Sequence, residues 1–407
     1  TAIASATTIV DNEYFFGYGS DGGGGSRTYK STWNFGAAPF SYAPPSGHKS
    51  LCTQNLTDPT IADGSDYFDV DLYQGTGASH TRSGFSFGPD WVWIKVRDAG
   101  SSHRVFDTVR GAGKHLLPDD TGSENTHTAA LSGFTSDGYT LGANDDGATN
   151  VNQSSKNYVG WLWDAGTSTA TNTTGGTQSS VRASQASGFS IVSWSGHGSG
   201  STTVGHGLST APELIILKGR SNAGAWVVGT DYLGWENRVE LNTSSARGSA
   251  SADFNSTAPT DSVFTVGSNQ GSGDKIAYCF APVEGYCRIG SFENPSSSIG
   301  AFVYCGFRPA FILAKCAVNI SSSSGSGDWI IKDTARSPFN NPSDGNTLAS
   351  NVANAEDNYY SATQAAIDIL SNGFKIQHPN SSPLGDPGRL YIFLALAEHP
   401  FKTARAR

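Results

Sequence analysis

Methionine is missing from all 407 residues, position 1 included. The expectation is a processed product or a fragment of a longer gene product. Cysteine is scarce. Cys52, Cys279, Cys287, Cys305 and Cys316 follow no CxxC or zinc spacing, and their number is odd. That argues against a disulfide scaffold. The apolar runs IAYCF around Cys279 and FVYCGF around Cys305 point instead to reduced, buried thiols. Charge is sparse too, at 15% of residues, with a net charge of −9. No basic block lies inside the chain, so a nucleic-acid groove is not expected. The one cationic cluster, KTARAR at 402–407, reads as a solvated tail. No apolar run approaches the ~18–20 residues of a membrane-spanning helix, and no signal-peptide pattern is present. Membrane insertion is therefore not expected.

What fills the space is glycine, 49 residues of it, with Ser, Thr and Asn. That composition suits short strands joined by many turns. One phrase organises them. Residues 84–95 read GFSFGPDWVWIK, 207–218 read GLSTAPELIILK, and 306–315 read GFRPAFILAK. Each has a Gly, a Pro, a run of large apolar residues and a Lys. A continuous apolar run of this length predicts a strand buried on both faces. Within DWVWIKV, Trp91 and Trp93 fall on one face and Val92 and Ile94 on the other.

The phrase keeps its companions in order. The next strand is RVFDTVRG (104–111), WVVGTDYLG (226–234) or WIIKDTARS (329–337). A turn and short strand follow: SDGYTLG (136–142), DSVFTVG (261–267), SNGFKIQ (371–377). YVGWLWDAG (158–166), IAYCFAPVEG (276–285) and YIFLALAEHP (391–400) close each set. YFDVDLYQGTG (67–77), GFSIVSWSGHG (188–198) and YCRIGSFENPS (286–296) open it. The Lys-to-Lys spacings of 123 and 97 residues are too long for a solenoid. The expected fold is all-β, as three tandem modules of β-sandwich or jelly-roll type with very little helix.

The expected modules are residues 67–166, 188–285 and 286–401. Residues 51–66 and the polar stretch 167–187 read as linkers, and 402–407 as a tail. The second and third modules meet with almost no linker. The best helical candidate is NVANAEDNYYSATQAAIDIL at 351–370, in module three. Residues 1–50 stand outside the triplicated pattern and read as a β segment with a Gly-rich loop at 20–26.

Within that segment, NFG..PF.Y.PP.G at 34–47 resembles the end of a SPRY domain as it occurs in phage structural proteins. Further phrases carry the same resemblance: LCTQNLTDPTIADGSDYFDVDLYQGTG, VRGAGKHLLPD, YVGWLWDAGTST, GFSIVSWSG, the IAYCFAPVEGY run and PFKTARAR. They are similar to phrases of marine phage, cyanophage-like, tail-fibre-type virion proteins. The resemblance covers the chain from about residue 30. It implies a virion setting, and the expected protein is non-enzymatic and lies on the particle surface, in a tail fibre or host-recognition appendage. It also implies a homo-oligomer, a trimer by analogy with phage fibres, contacts with other virion proteins, and a host surface glycan or protein as target. The alternatives are a capsid- or tail-decorating protein without a receptor role and a polysaccharide depolymerase. A free-standing lectin fits the phrases less well.

The residues offer little overt chemistry. Carboxylate pairs suited to glycoside hydrolysis would be Asp69/Asp71, Asp119/Asp120, Asp145/Asp146 or Glu356/Asp357. The last three read as solvated turns, and Asp69 and Asp71 share one strand face. Asn144 to Gly147 (NDDG) lacks EF-hand spacing and reads as a turn. The nine histidines are scattered and read as exposed loop residues; GHGSGS at 196–201 reads as a hairpin loop, not a nucleophile elbow. Gly22–Gly25 and Gly325–Gly327 have no GK[ST] and are turns. No catalytic residue, metal or cofactor is expected. Trp91, Trp93, Trp161, Trp163, Trp226 and Trp329 sit in the strand phrases and read as core. Trp235, Tyr359 and Tyr360, in loops, are the expected ligand-binding aromatics.

Overall fold

A computed structural model of the chain describes residues 60–143, 150–295, 300–318, 327–340, 346–356, 367–377 and 383–398. Residues 1–50, the NDDG turn, most of the first linker, half of the helical candidate and the basic tail lie outside them. The architecture is antiparallel β throughout. No helix among the described residues is long and apolar enough to cross a membrane.

Each module is built on one sheet, and the strand order repeats. In module one the opening strand Phe68–Gln74 pairs with the closing strand Asn157–Trp163, which pairs with Trp91–Val96, which pairs with Arg104–Asp107. Module two runs Phe189–Ser195, Asp274–Phe280, Leu214–Gly219, Val227–Thr230. Module three runs Cys287–Glu293, Leu390–Ala397, Pro309–Cys316, Trp329–Asp333. The register repeats as well. Four residues before the repeated Lys, Trp91 faces Trp163, Leu214 faces Phe280 and Phe311 faces Leu396.

A smaller sheet covers one face of each main sheet, giving a sandwich. It comprises His80–Ser83, Gly138–Leu141 and Leu131–Thr135 in module one, and Thr202–Gly205 with Val263–Val266 in module two. In module three it comprises Phe302–Tyr304, Gly373–Ile376 and Ile367–Leu370. The continuous apolar runs now make sense by parity. Val92 and Ile94 pack with Tyr139 and Leu141 inside the sandwich. Trp91 and Trp93 point the other way, into a core shared by all three modules.

That shared core joins Trp91, Trp161 and Trp163 to Tyr278 and Phe280 of module two and to Phe311, Leu394 and Leu396 of module three. Trp91 stacks on Tyr278 with centroids 4.3 Å apart, and Phe311 lies 5.6 Å edge-on to Trp163. All six repeated tryptophans are fully buried here. The modules therefore do not behave as beads on a string: Leu56–Arg407 is one compact unit.

Three expectations need correction. Residues 167–187 are not a free linker. Thr169–Asn172 and Ser179–Ser184 are strands that extend the sheet of module two beyond Phe189–Ser195. Only Val181 and Ala183 supply apolar contacts there, so the sequence reads as polar filler, yet one wet face is normal at a sheet edge. The first linker is also docked at its end: Asp63 caps the short turn Gly64–Asp66 and Ile61 is buried in the shared core. A Cβ on Gly64 would meet the Ala397 carbonyl at 2.4 Å. Finally, the helical candidate ends as a strand. Ile367–Leu370 forms a hairpin with Gly373–Ile376, because IDIL alternates and the Ser-Asn-Gly turn follows at once.

Candidate functional site

The polar side chains that chemistry could use are concentrated where the modules meet. At the head of each fourth strand stands a large ring: His103, Trp226 or Trp329. Each reaches a backbone carbonyl of another module. Trp226 Nε1 donates to Leu117 O of module one at 2.8 Å. Trp329 Nε1 donates to Glu240 O of module two at 2.8 Å. His103 accepts from Trp93 Nε1 on Nδ1 at 2.9 Å, so its Nε2 carries the proton and donates to Ala349 O of module three at 3.0 Å. The three contacts run two-to-one, three-to-two and one-to-three. A cyclic set of equivalent contacts is a closed ring with approximate three-fold character.

Two of the three repeated lysines reach across the same seams. Lys218 Nζ donates to Gly224 O of its own module at 2.6 Å and to Thr121 O of module one at 2.8 Å. Lys315 Nζ donates to Gly327 O and, at 3.0 Å, to Thr243 O of module two. Lys95 binds Val96 O and Ala99 O within its own module. Burial pushes each of the three ammonium groups down to about 8.

Two seams carry an ion lock. Arg110 bonds Asp107 through its backbone N–H at 2.8 Å and its Nε at 2.5 Å. Tyr278 of module two donates to the same carboxylate at 2.8 Å. Glu124 then accepts from Arg220 of module two at 2.8 Å. The other lock repeats the design. Arg336 holds Asp333 at 2.9 and 2.6 Å, Trp161 Nε1 of module one donates to Asp333 at 3.0 Å, and Glu356 bridges Arg336 and Arg97 at 2.7 Å each. At the third seam the equivalent positions are Thr230 and Leu233, and Leu233 is in the apolar core. That seam joins the two modules linked by the short turn at Val283 and Cys287.

A family model described as "Domain of unknown function (DUF7483)" matches residues 63–400. The chain belongs to the DUF7483 family. No curated protein matches it. The DUF7483 match starts at Asp63, the cap of the first described turn, and runs through all three modules, so the family unit and the ring coincide.

Within this DUF7483 ring the described carboxylates singled out in the sequence are each held by neighbours rather than paired across a cleft. Asp71 is buried and held by Arg82 at 2.6 and 2.8 Å and by Tyr139 at 2.8 Å. Asp69 binds the Val70 N–H, and burial raises its pKa. Asp119 accepts the His103 N–H, while Asp120 caps its own turn through the Gly122 N–H. Glu356 belongs to a lock; Asp145, Asp146 and Asp357 lie outside the described residues. Among the described residues no group of three His, Cys, Asp or Glu could hold a metal ion.

Several side chains sit elsewhere than expected. Trp235 is 4% exposed, not a surface aromatic. It lies edge-on to Phe254 at 5.3 Å, over Gly229, which has no side chain to keep it away. Tyr359 and Tyr360 lie outside the described residues. His103, His115 and His206 are buried rather than exposed. His206 accepts the Leu208 N–H and donates to Thr260 O, which closes a turn. The GHGSGS segment is not a hairpin loop. It crosses from the main sheet of module two to its small sheet, with Gly198 and Gly200 at φ of +89° and +87°. Cys279, Cys287, Cys305 and Cys316 are unpaired and buried.

Sequence reasoning missed one pair. Phe302 and Tyr304, from the run FVYCGF, are 50% and 59% exposed. The signal was the alternation Phe-Val-Tyr, with only Val303 facing inward.

Proposed function

We propose that the chain is a non-enzymatic structural and adhesive protein of a virion, in a tail fibre or host-recognition appendage. The observation that carries this reading is the employment of the polar side chains. Asp107, Asp333, Glu124 and Glu356, with their arginines, tie three modules into one body instead of lining a cleft. A body closed on itself by a shared aromatic core is a rigid scaffold, and rigid β scaffolds present binding groups at loops and strand edges. The virion setting rests on the phrases that resemble tail-fibre-type proteins. Further copies of the chain and neighbouring virion proteins complete the appendage, and multiple copies raise weak single-site affinity by avidity.

The test is subnanometre imaging or gold labelling of this chain on intact particles, paired with adsorption of the purified chain to host cells. Label at distal appendages and saturable adsorption are expected. Label at fixed lattice points over capsid or tail shaft, without adsorption, would replace the adhesive role by decoration. Release of oligosaccharides from host polymer by the purified chain would establish a depolymerase and overturn the non-enzymatic reading.

A further inference from the structure

Modules one and three control for each other at the outer surface of the small sheet; in module two the matching Gly205 is buried under Asn172. Arg82 faces Tyr139, Val204 faces Phe264 and Val303 faces Phe374. The turn phrases place these at one common position. One residue to either side stand Thr81 and Ser83 in module one, Thr203 and Gly205 in module two, and Phe302 and Tyr304 in module three. The same small sheet thus forms in module one with small side chains at these positions. The two exposed rings are not a requirement of the fold.

Residues paired directly across strands share a face. Phe302 faces Lys375, and Lys375 faces Asp368. Tyr304 faces Gly373, and Gly373 faces Leu370. The outer face therefore carries an aromatic row and, behind it, an ammonium, a carboxylate and the half-buried Leu370, while Gly373 is buried with the Val303 carbonyl where a Cβ would stand. The Gln377 amide donates to Asp368. Tyr304 passes close to Gly306, with its Oη, Cζ and Cε1 3.6–3.9 Å from where a Cβ would stand, and remains 59% exposed. Phe302 and Tyr304 project about 7 Å apart along the strand, the i to i+2 spacing.

We infer that this face is a binding site for a neutral carbohydrate chain, with sugar rings lying on Phe302 and Tyr304 and hydroxyl groups meeting Lys375, Asp368 and Gln377. Two features select that ligand class. Lys375 and Asp368 together present a donor and an acceptor with no net charge, which complements hydroxyls rather than phosphate or uronate. The chain as a whole carries −9 and repels polyanions. A purely apolar partner would have to desolvate the Lys375–Asp368 row without pairing it. The inference rests on the adhesive reading for the ligand's source on a host surface.

The experiment uses the full chain against immobilised neutral glucans, mannans and galactans, with alginate and heparin as acidic controls. Binding to at least one neutral polymer is expected. Phe302→Ala and Tyr304→Ala should each weaken it about tenfold, as loss of a ring contact does. Thr81→Ala with Ser83→Ala, at the same place in module one, should leave it unchanged. Thermal midpoints of all variants identify any that fail to fold. Preference for the acidic polymers would overturn the inference. So would binding that survives Phe302→Ala/Tyr304→Ala, though the adhesive reading would stand. If no polysaccharide binds, the site falls, and adsorption to host cells decides the adhesive reading separately. Loss of self-association in the aromatic variants, with glycan binding intact, would make the strand edge a contact between copies and also overturn it.

Discussion

Replacing Arg336 by Leu should destabilise the chain by about 3–5 kcal/mol, the usual cost of leaving a buried carboxylate without its partner. Asp333 and Arg336 are both fully buried, and Asp333 would keep only Trp161 and backbone donors. The repeat supplies the compensating change. Thr230 and Leu233 occupy the matching positions of module two. Asp333→Thr combined with Arg336→Leu removes both charges and keeps a hydroxyl near Trp161 Nε1. Glu356 keeps Arg97. The double variant should therefore lose only about 1–2 kcal/mol, the order of one weakened buried hydrogen bond. The cycle would then show a coupling of about 2 kcal/mol or more. Guanidinium unfolding of the full chain measures all four corners. A double variant no more stable than Arg336→Leu would refute the claim that an apolar seam and an ion lock are interchangeable solutions to one packing problem.

Other outcomes follow from buried titratable groups. Lys315, pushed down to about 8 by burial, is charged in the unfolded chain up to about pH 10.5, so its burial penalty is full below pH 8 and relaxes as pH rises. Lys315→Met should destabilise at pH 7 by stranding Thr243 O and Gly327 O, and the gap to the parent chain should widen by about 1 kcal/mol at pH 9; a gap that narrows would contradict the assignment. His115, pushed down to about 4 by burial, is neutral in the fold, so it contributes stability above pH 6.5 that is lost as pH falls toward 4. His115→Gln should flatten that acid limb in thermal melts, and an unchanged limb would exclude the residue. Burial raises the thiols of Cys279, Cys287, Cys305 and Cys316, so none should be alkylated by iodoacetamide at pH 8 until the chain is denatured. Mass mapping of native-state labelling at any of the four would disprove their burial.

The repeat, the all-β class and the burial of the six tryptophans were legible in the residues themselves. Each follows from local pattern: an apolar run bounded by turn residues and recurring in order has few ways to fold other than as central strands. The ring was not legible. Its seams use backbone carbonyls of Leu117, Glu240, Ala349, Thr121 and Thr243 as acceptors, and a carbonyl has no side-chain signature. The strands inside 167–187 were hidden for a related reason: a sheet edge is stabilised by pairing with Phe189–Ser195, not by its own apolar content. Trp235 looked like a loop aromatic because Phe254 and Gly229, which enclose it, are brought there only by the tertiary fold. Phe302 and Tyr304 were missed because the Phe-Val-Tyr alternation marks two faces without saying which one is wet. Local sequence thus determined which central strands form and in what order. Only the tertiary structure decided which of their faces met another module and which met water, because that depends on register and on contacts between residues far apart in the chain.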